Sequence, residues 1–155
     1  IKLTLLELAM TDQTATPPKD ALSQTLGLQR IILMDAETGR AKLEYLAGMH
    51  MCHSGGVVQG GFITGWLDAA MAHGIMAVTG FDYTPMSLEL KVSFFAPTSP
   101  GLVIAEAWVE RRGKSTSFME AHLLNTNGEV MAKASSTLRL VPRAKVEARA
   151  RESVS

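Results

Sequence analysis

One segment constrains this chain more than any other. From Gly60 to Val78 the residues are almost wholly apolar, Phe62, Ile63, Trp66, Leu67, Met71, Ile75 and Met76 among them, and a single carboxylate, Asp68, sits inside the run. Gly80 follows as a stop signal. A helix that is apolar on nearly every face is buried on every face. In a chain of 155 residues, the remainder must therefore wrap around it. The run is long enough to raise a membrane span, but a central Asp costs about 2.5–3.5 kcal/mol on insertion scales. A buried helix in a protein that does not engage the membrane is the expectation.

What wraps the helix reads as β-structure. Leu28 to Ala36 and Ala41 to Ala47 are strand-like about the turn Glu37-Thr38-Gly39-Arg40, forming a hairpin. After the helix, Met86 to Ala96 lies between Pro85 and Pro97, with Leu88, Leu90, Val92 and Phe94 alternating against Glu89, Lys91 and Ser93. Leu102 to Glu110, Ser115 to Asn125 and Glu129 to Val141 complete the set, the last two joined by the turn signal Asn127-Gly128. The expectation is an α+β fold: an antiparallel sheet of about five or six strands wrapped around one long helix, with open edges that a second copy could cover. Residues 1–27 form a lead-in with a short helix over Asp20 to Leu26 closed by Gly27; residues 28–141 form the domain; residues 142–155 form a charged tail or frayed helix.

Composition narrows the function. With 46% hydrophobic residues, there is enough apolar material for a core. Fifteen basic residues balance fifteen acidic ones, and aromatic content is only 6%, so nothing draws the chain to nucleic acid. The lone cysteine, Cys52, permits no intrachain disulfide and fits a reducing, cytoplasmic compartment. Ile1 to Met10 carries Glu7 and no basic leader, and does not read as a signal peptide.

The chemistry concentrates at the start of the helix. Ser54-Gly55-Gly56 leads to Gln59-Gly60-Gly61, and two glycines at a helix start let a carbonyl approach bare backbone N–H groups. Those donors, with the positive end of the helix dipole, suit a developing oxyanion. Gly60, Thr64 and Asp68 follow at intervals of four, near one helical face. A carboxylate in apolar surroundings is expensive unless paired or used. Asp68 therefore stands as general base or nucleophile, against the plainer reading of an Asp that caps backbone or pairs with an Arg.

In this order and spacing the motifs resemble the hotdog-fold acyl-CoA thioesterases of the phenylacetate-degradation type. Gln59-Gly60-Gly61 with Leu67-Asp68 matches that family's His-Gly-Gly and helix Asp. Met86-Ser87-Leu88-Glu89-Leu90-Lys91-Val92-Ser93-Phe94-Phe95-Ala96-Pro97 is a second match, and Phe118-Met119-Glu120-Ala121 with Met131-Ala132-Lys133-Ala134 a third. The resemblance spans about Leu28 to Val141. It implies hydrolysis of an acyl-CoA thioester, no metal, and no cofactor beyond the coenzyme A of the substrate. It also implies a homodimer joined edge to edge, often paired again into a tetramer, with the helix start of one subunit facing the Asp of the other. Ser87 matches a position that supports the attacking water. Two departures stand out: Gln59 replaces the usual His, and His53 stands where Asn is frequent. The pair retains one imidazole and one amide, with the positions exchanged.

Further candidates are weaker. Arg111, Arg112 and Lys114 share one turn and could grip coenzyme A phosphates, although most turn charges are merely solvated. Met49, Met51, Phe62, Trp66, Met71 and Phe81 could line an acyl pocket, although Met at helical spacing is more often core. His50-Met51-Cys52-His53 contains soft metal ligands, but neighbours in an extended segment point to opposite sides and do not converge. A non-catalytic acyl-CoA-binding module and a hotdog dehydratase or hydratase remain as alternatives.

Overall fold

The computed structural model describes residues 20–154. A short helix α1 (Ala21–Thr25) is capped by Asp20, whose carboxylate accepts from the Ser23 N–H, and is closed through Leu26 and Gly27 at positive φ. The hairpin β1 (Leu28–Asp35) and β2 (Arg40–Ala47) follows. A single 3-10 turn (Met49–Met51) leads into two short strands, β3 (Cys52–His53) and β4 (Val57–Val58). The long helix α2 (Gly60–Thr79) ends at Gly80, where φ is 75°. Then come β5 (Tyr83–Phe94), β6 (Gly101–Arg112), β7 (Thr116–Leu124), β8 (Val130–Pro142) and a terminal helix α3 (Arg143–Glu152). No helix among the described residues is long and apolar enough to cross a membrane. The reading of Ile1 to Met10 falls outside the described residues.

Six strands form one antiparallel sheet in the order β1-β2-β6-β7-β8-β5, so β5 is an edge. Helix α2 crosses its inner face, burying Ile63, Trp66, Leu67, Ala70, Met71, Gly74 and Ile75 at helical spacing. Opposite them lie Leu43, Tyr45, Ala105, Ala107, Ala121, Leu123, Ala132 and Ala134. The run of alanines on the sheet lets the helix settle close. Trp66 anchors the assembly: its ring stacks on Tyr45 with centroids 5.7 Å apart, and its Nε1–H donates to the Leu26 carbonyl at 2.7 Å. Each large side chain so buried contributes roughly 1.5–3 kcal/mol. At Gly74 the helix lies close against the β1–β2 turn: an added Cβ would sit 2.7 Å from the Gly39 carbonyl oxygen.

Four features depart from the sequence expectations. The sheet is a single layer, so it covers one face of α2; Phe62, Asp68, Ala72 and Met76 on other faces are only half-buried. Pro85 does not bound its strand: β5 begins at Tyr83 and runs through it, because an edge strand tolerates the missing N–H. The Leu88-to-Phe94 alternation breaks at Leu88, which is the extra residue of a β-bulge between Ser87 and Glu89. The β3–β4 pair, turned by Gly55 and Gly56 at positive φ, is too short to leave a periodic signal.

Candidate active site

The bulge in β5 builds the first half of the site. Phe94, Val92 and Leu90 pair with Ala132, Ala134 and Ser136, the inward residues of β8. Strict alternation would next turn Leu88 inward. Instead Leu88 is 62% exposed, and Ser87 pairs with the buried Leu138 and faces the helix. Its hydroxyl donates to Asp68 Oδ1 at 2.7 Å. Asp68 is half-buried on α2, so its carboxylate is held on one side by a hydroxyl while solvent still reaches it.

The second half is the start of α2. Gln59 is the N-cap, and its side-chain Oε1 accepts from the Gly61 N–H at 2.7 Å. The Gly60 N–H, by contrast, donates to no described residue. Phe94 lies directly over Gly60: an added Cβ there would meet the ring at 3.1 Å. Beside it opens a cleft of about 430 Å³ lined by Val57, Val58, Gly60, Ile63, Phe94 and Phe95. Thr98, only 2% exposed, also borders this cleft, and its Oγ1 has no hydrogen-bond partner among the described residues.

Other expected residues lie apart or act locally. Thr64 Oγ1 donates to the Gly60 carbonyl at 2.8 Å, a bond to its own helix backbone and not to Asp68. His53 is exposed, its Nδ1 lying 2.9 Å from the Ser54 carbonyl oxygen. Arg111, Arg112 and Lys114 are exposed about the β6–β7 turn. Arg112 pairs with Ser117, Ser117 with Leu138 and Leu138 with Ser87, so Arg112 lies in the row of Ser87, three strands away. At the usual strand spacing that is about 14 Å. Met51, Trp66 and Met71 are core, and Met49 and Phe81 are exposed away from the cleft lining. Among the pocket residues missed from sequence are Val57, Val58 and Ile63 about the helix start, and Phe94, Phe95 and Thr98, which end or follow the alternating run and reach the helix start only through the fold. In the His50–His53 tract, Met51 is buried, both histidines are exposed, and Cys52 Sγ is 3.6 Å from the Gly48 carbonyl oxygen. Among the described residues no three His, Cys, Asp or Glu side chains gather in a metal-binding cluster.

Within one chain the two halves do not meet. Gly60 and Asp68 are eight residues apart on one helix, a rise of about 12 Å. One carbonyl cannot touch both.

A helix laid on a curled antiparallel sheet, with a glycine-led helix start and a midhelix Asp, defines the hotdog class. The thioesterase superfamily pattern matches residues 55–132, and the chain belongs to that superfamily. A Saccharolobus solfataricus protein, named provisionally as an esterase, is 30% identical over 76% of this chain and 82% of its own length. A Ralstonia eutropha structure, described as a candidate thioesterase related to phenylacetic acid degradation, is 30% identical, covers 81% of this chain and 93% of its own, and has a TM-score of 0.73. The Escherichia coli PaaI protein of the phenylacetic acid degradation operon shares the fold, with a TM-score of 0.72, coverage of 79% and 86%, and 22% identity.

Proposed function

We propose that the protein hydrolyses acyl-CoA thioesters to a free acid and coenzyme A, in sites shared between two subunits. The observation that carries this reading is the Ser87–Asp68 hydrogen bond of 2.7 Å, which holds a half-buried carboxylate in one orientation with its second oxygen left for chemistry.

The edge strand supplies the route to a complete site. Ser87 stands three residues before Leu90, and Phe94 three after Lys91. A two-fold axis between Leu90 and Lys91 would therefore pair β5 with its copy and bring Ser87 near Phe94 of the partner subunit. Since Phe94 covers Gly60, the same operation carries the helix start of one chain toward Asp68 of the other. Met86, Leu88 and Phe94 on this edge are all 46–62% exposed, apolar surface that such pairing would cover.

In this scheme the thioester carbonyl oxygen points at the Gly60 N–H. Asp68 takes a proton from water while the water oxygen bonds to the carbonyl carbon, and the resulting oxyanion is held by the Gly60 N–H and the helix dipole. Collapse re-forms the carbonyl and breaks the C–S bond; Asp68 returns its proton to the leaving thiolate. Direct attack by the carboxylate is the alternative role for Asp68, with water then hydrolysing the anhydride. Label from oxygen-18 water in the Asp68 side chain after a single turnover marks direct attack with the anhydride opened at the aspartyl carbon, a result that general-base hydrolysis cannot produce. The apolar cleft beside Gly60 suits the acyl group. Ser87 orients Asp68, while Gln59, Gly61 and His53 border the carbonyl subsite, Thr64 fixes the first helical turn, and Arg111, Arg112 and Lys114 are the cations for the coenzyme A phosphates.

One observation favours the non-catalytic acyl-CoA-binding reading: Gln59 occupies the Gly61 N–H, so one donor serves where two were expected. Thiol release from short, long and aryl acyl-CoA thioesters decides between them. Release that disappears in Asp68→Asn supports the enzyme; binding without release supports the module.

A further inference from the structure

The bulge that aims Ser87 at Asp68 has a keeper. Ser136 on β8 is 5% exposed, and its Oγ donates to the Glu89 carbonyl at 2.7 Å. Glu89 is the residue at which pairing resumes after the unpaired Leu88: Ser87 pairs with Leu138, and Glu89 with Thr137. A bulge disrupts the local ladder, and a side-chain donor on the backbone carbonyl where pairing resumes gives the displaced strand a fixed partner. Ser136 supplies that partner from the inward face of the sheet, where a hydroxyl has no packing reason to be: its inward neighbours along β8 are Ala132, Ala134 and Leu138. We infer that Ser136 is a positioning residue for the site: its hydroxyl fixes the β5 bulge and thereby holds Ser87 toward Asp68. The inference rests on the thioesterase reading for its kinetic consequence, but not for its geometric one.

The test combines kinetics with a crystal structure. Ser136→Ala should lower kcat for acyl-CoA hydrolysis roughly ten- to a hundredfold, as small misplacements do, while KM stays within about twofold. In the Ser87→Ala background the same change should have no further effect on kcat, because the route through Ser87 is already cut. Ser136→Thr, which keeps the hydroxyl, should restore most of the loss. In the crystal, Ser136→Ala should show Ser87 beyond hydrogen-bonding distance of Asp68. Ser136→Cys, near in volume and a weaker donor, gives a smaller loss in the same direction and serves if the alanine variant does not fold. An unchanged kcat in a folded variant, an additive loss in the Ser87→Ala background, or an intact Ser87–Asp68 bond in the crystal would each overturn the inference. If the wild-type protein releases no thiol from any acyl-CoA, the functional reading fails, and the crystal geometry alone decides the role of Ser136.

Discussion

The Ser87 hydroxyl donates to Asp68 Oδ1 across 2.7 Å, tying the edge strand of the sheet to the middle of its central helix. The bond orders the carboxylate and joins the element that carries the acid to the element that would meet a second subunit. Substituting Ser87 with Ala removes it. A hydrogen bond to a charged group contributes about 1.5–3 kcal/mol, so kcat is expected to fall at least tenfold with far-ultraviolet circular dichroism unchanged. Wild-type turnover in that variant would detach Ser87 from the mechanism.

The Gly60 N–H can be deleted with little damage to the helix. Gly60 is the first helical residue, where proline is tolerated, and Gln59 before it has φ −66° and ψ 135°, the conformation proline demands of its predecessor. The added ring carbons must displace Phe94 slightly, since even a Cβ would lie 3.1 Å from it. Gly60→Pro is expected to reduce kcat about a hundred- to a thousandfold, the usual effect of losing an oxyanion donor. Steady-state kinetics beside a thermal melt measures both sides of that expectation.

Shared sites make a prediction that single-chain sites cannot. Asp68→Asn and Gly60→Pro should each be inactive alone. Mixed and reassembled one to one, half the dimers are hybrids with one intact site, so about a quarter of wild-type activity should return. No recovery, with hybrid dimers demonstrated by mass spectrometry, would place the whole site within one chain.

A stability prediction concerns the helix–hairpin contact. Gly74→Ala places a Cβ 2.7 Å from the Gly39 carbonyl oxygen and 3.1 Å from the Met119 side chain. The backbone atom cannot move freely, and overpacking of this kind typically costs about 1–3 kcal/mol. Denaturant melts should show the loss, in spite of the better helix propensity of Ala.

Much of this architecture was legible because its signals are local. Gly27, Gly80 and Gly128 each end or turn an element at positive φ, and Asn125 Oδ1 accepts from the Asn127 and Glu129 N–H groups to close the expected hairpin. The apolar run and its Asp marked α2. What stayed hidden depends on pairing between distant residues. The Leu88–Phe94 alternation continues unbroken in sequence, and only the register against Thr137 and Leu138 shows Leu88 displaced. The same holds for Gln59: its residue type fits either a carbonyl-orienting amide or a cap, and the fold makes it the cap of Gly61. An apolar helix also promised burial on every side, whereas one sheet layer covers one face.

The central claim is that Asp68 drives thioester hydrolysis, and thiol release from an acyl-CoA panel by wild type and Asp68→Asn side by side tests it most directly. Asn keeps the size and can still accept from Ser87, but it cannot take a proton from water. The account predicts release by the wild type and at least a hundredfold slower release by the variant, with both proteins equally folded. Release at nearly the same rate from both would contradict it.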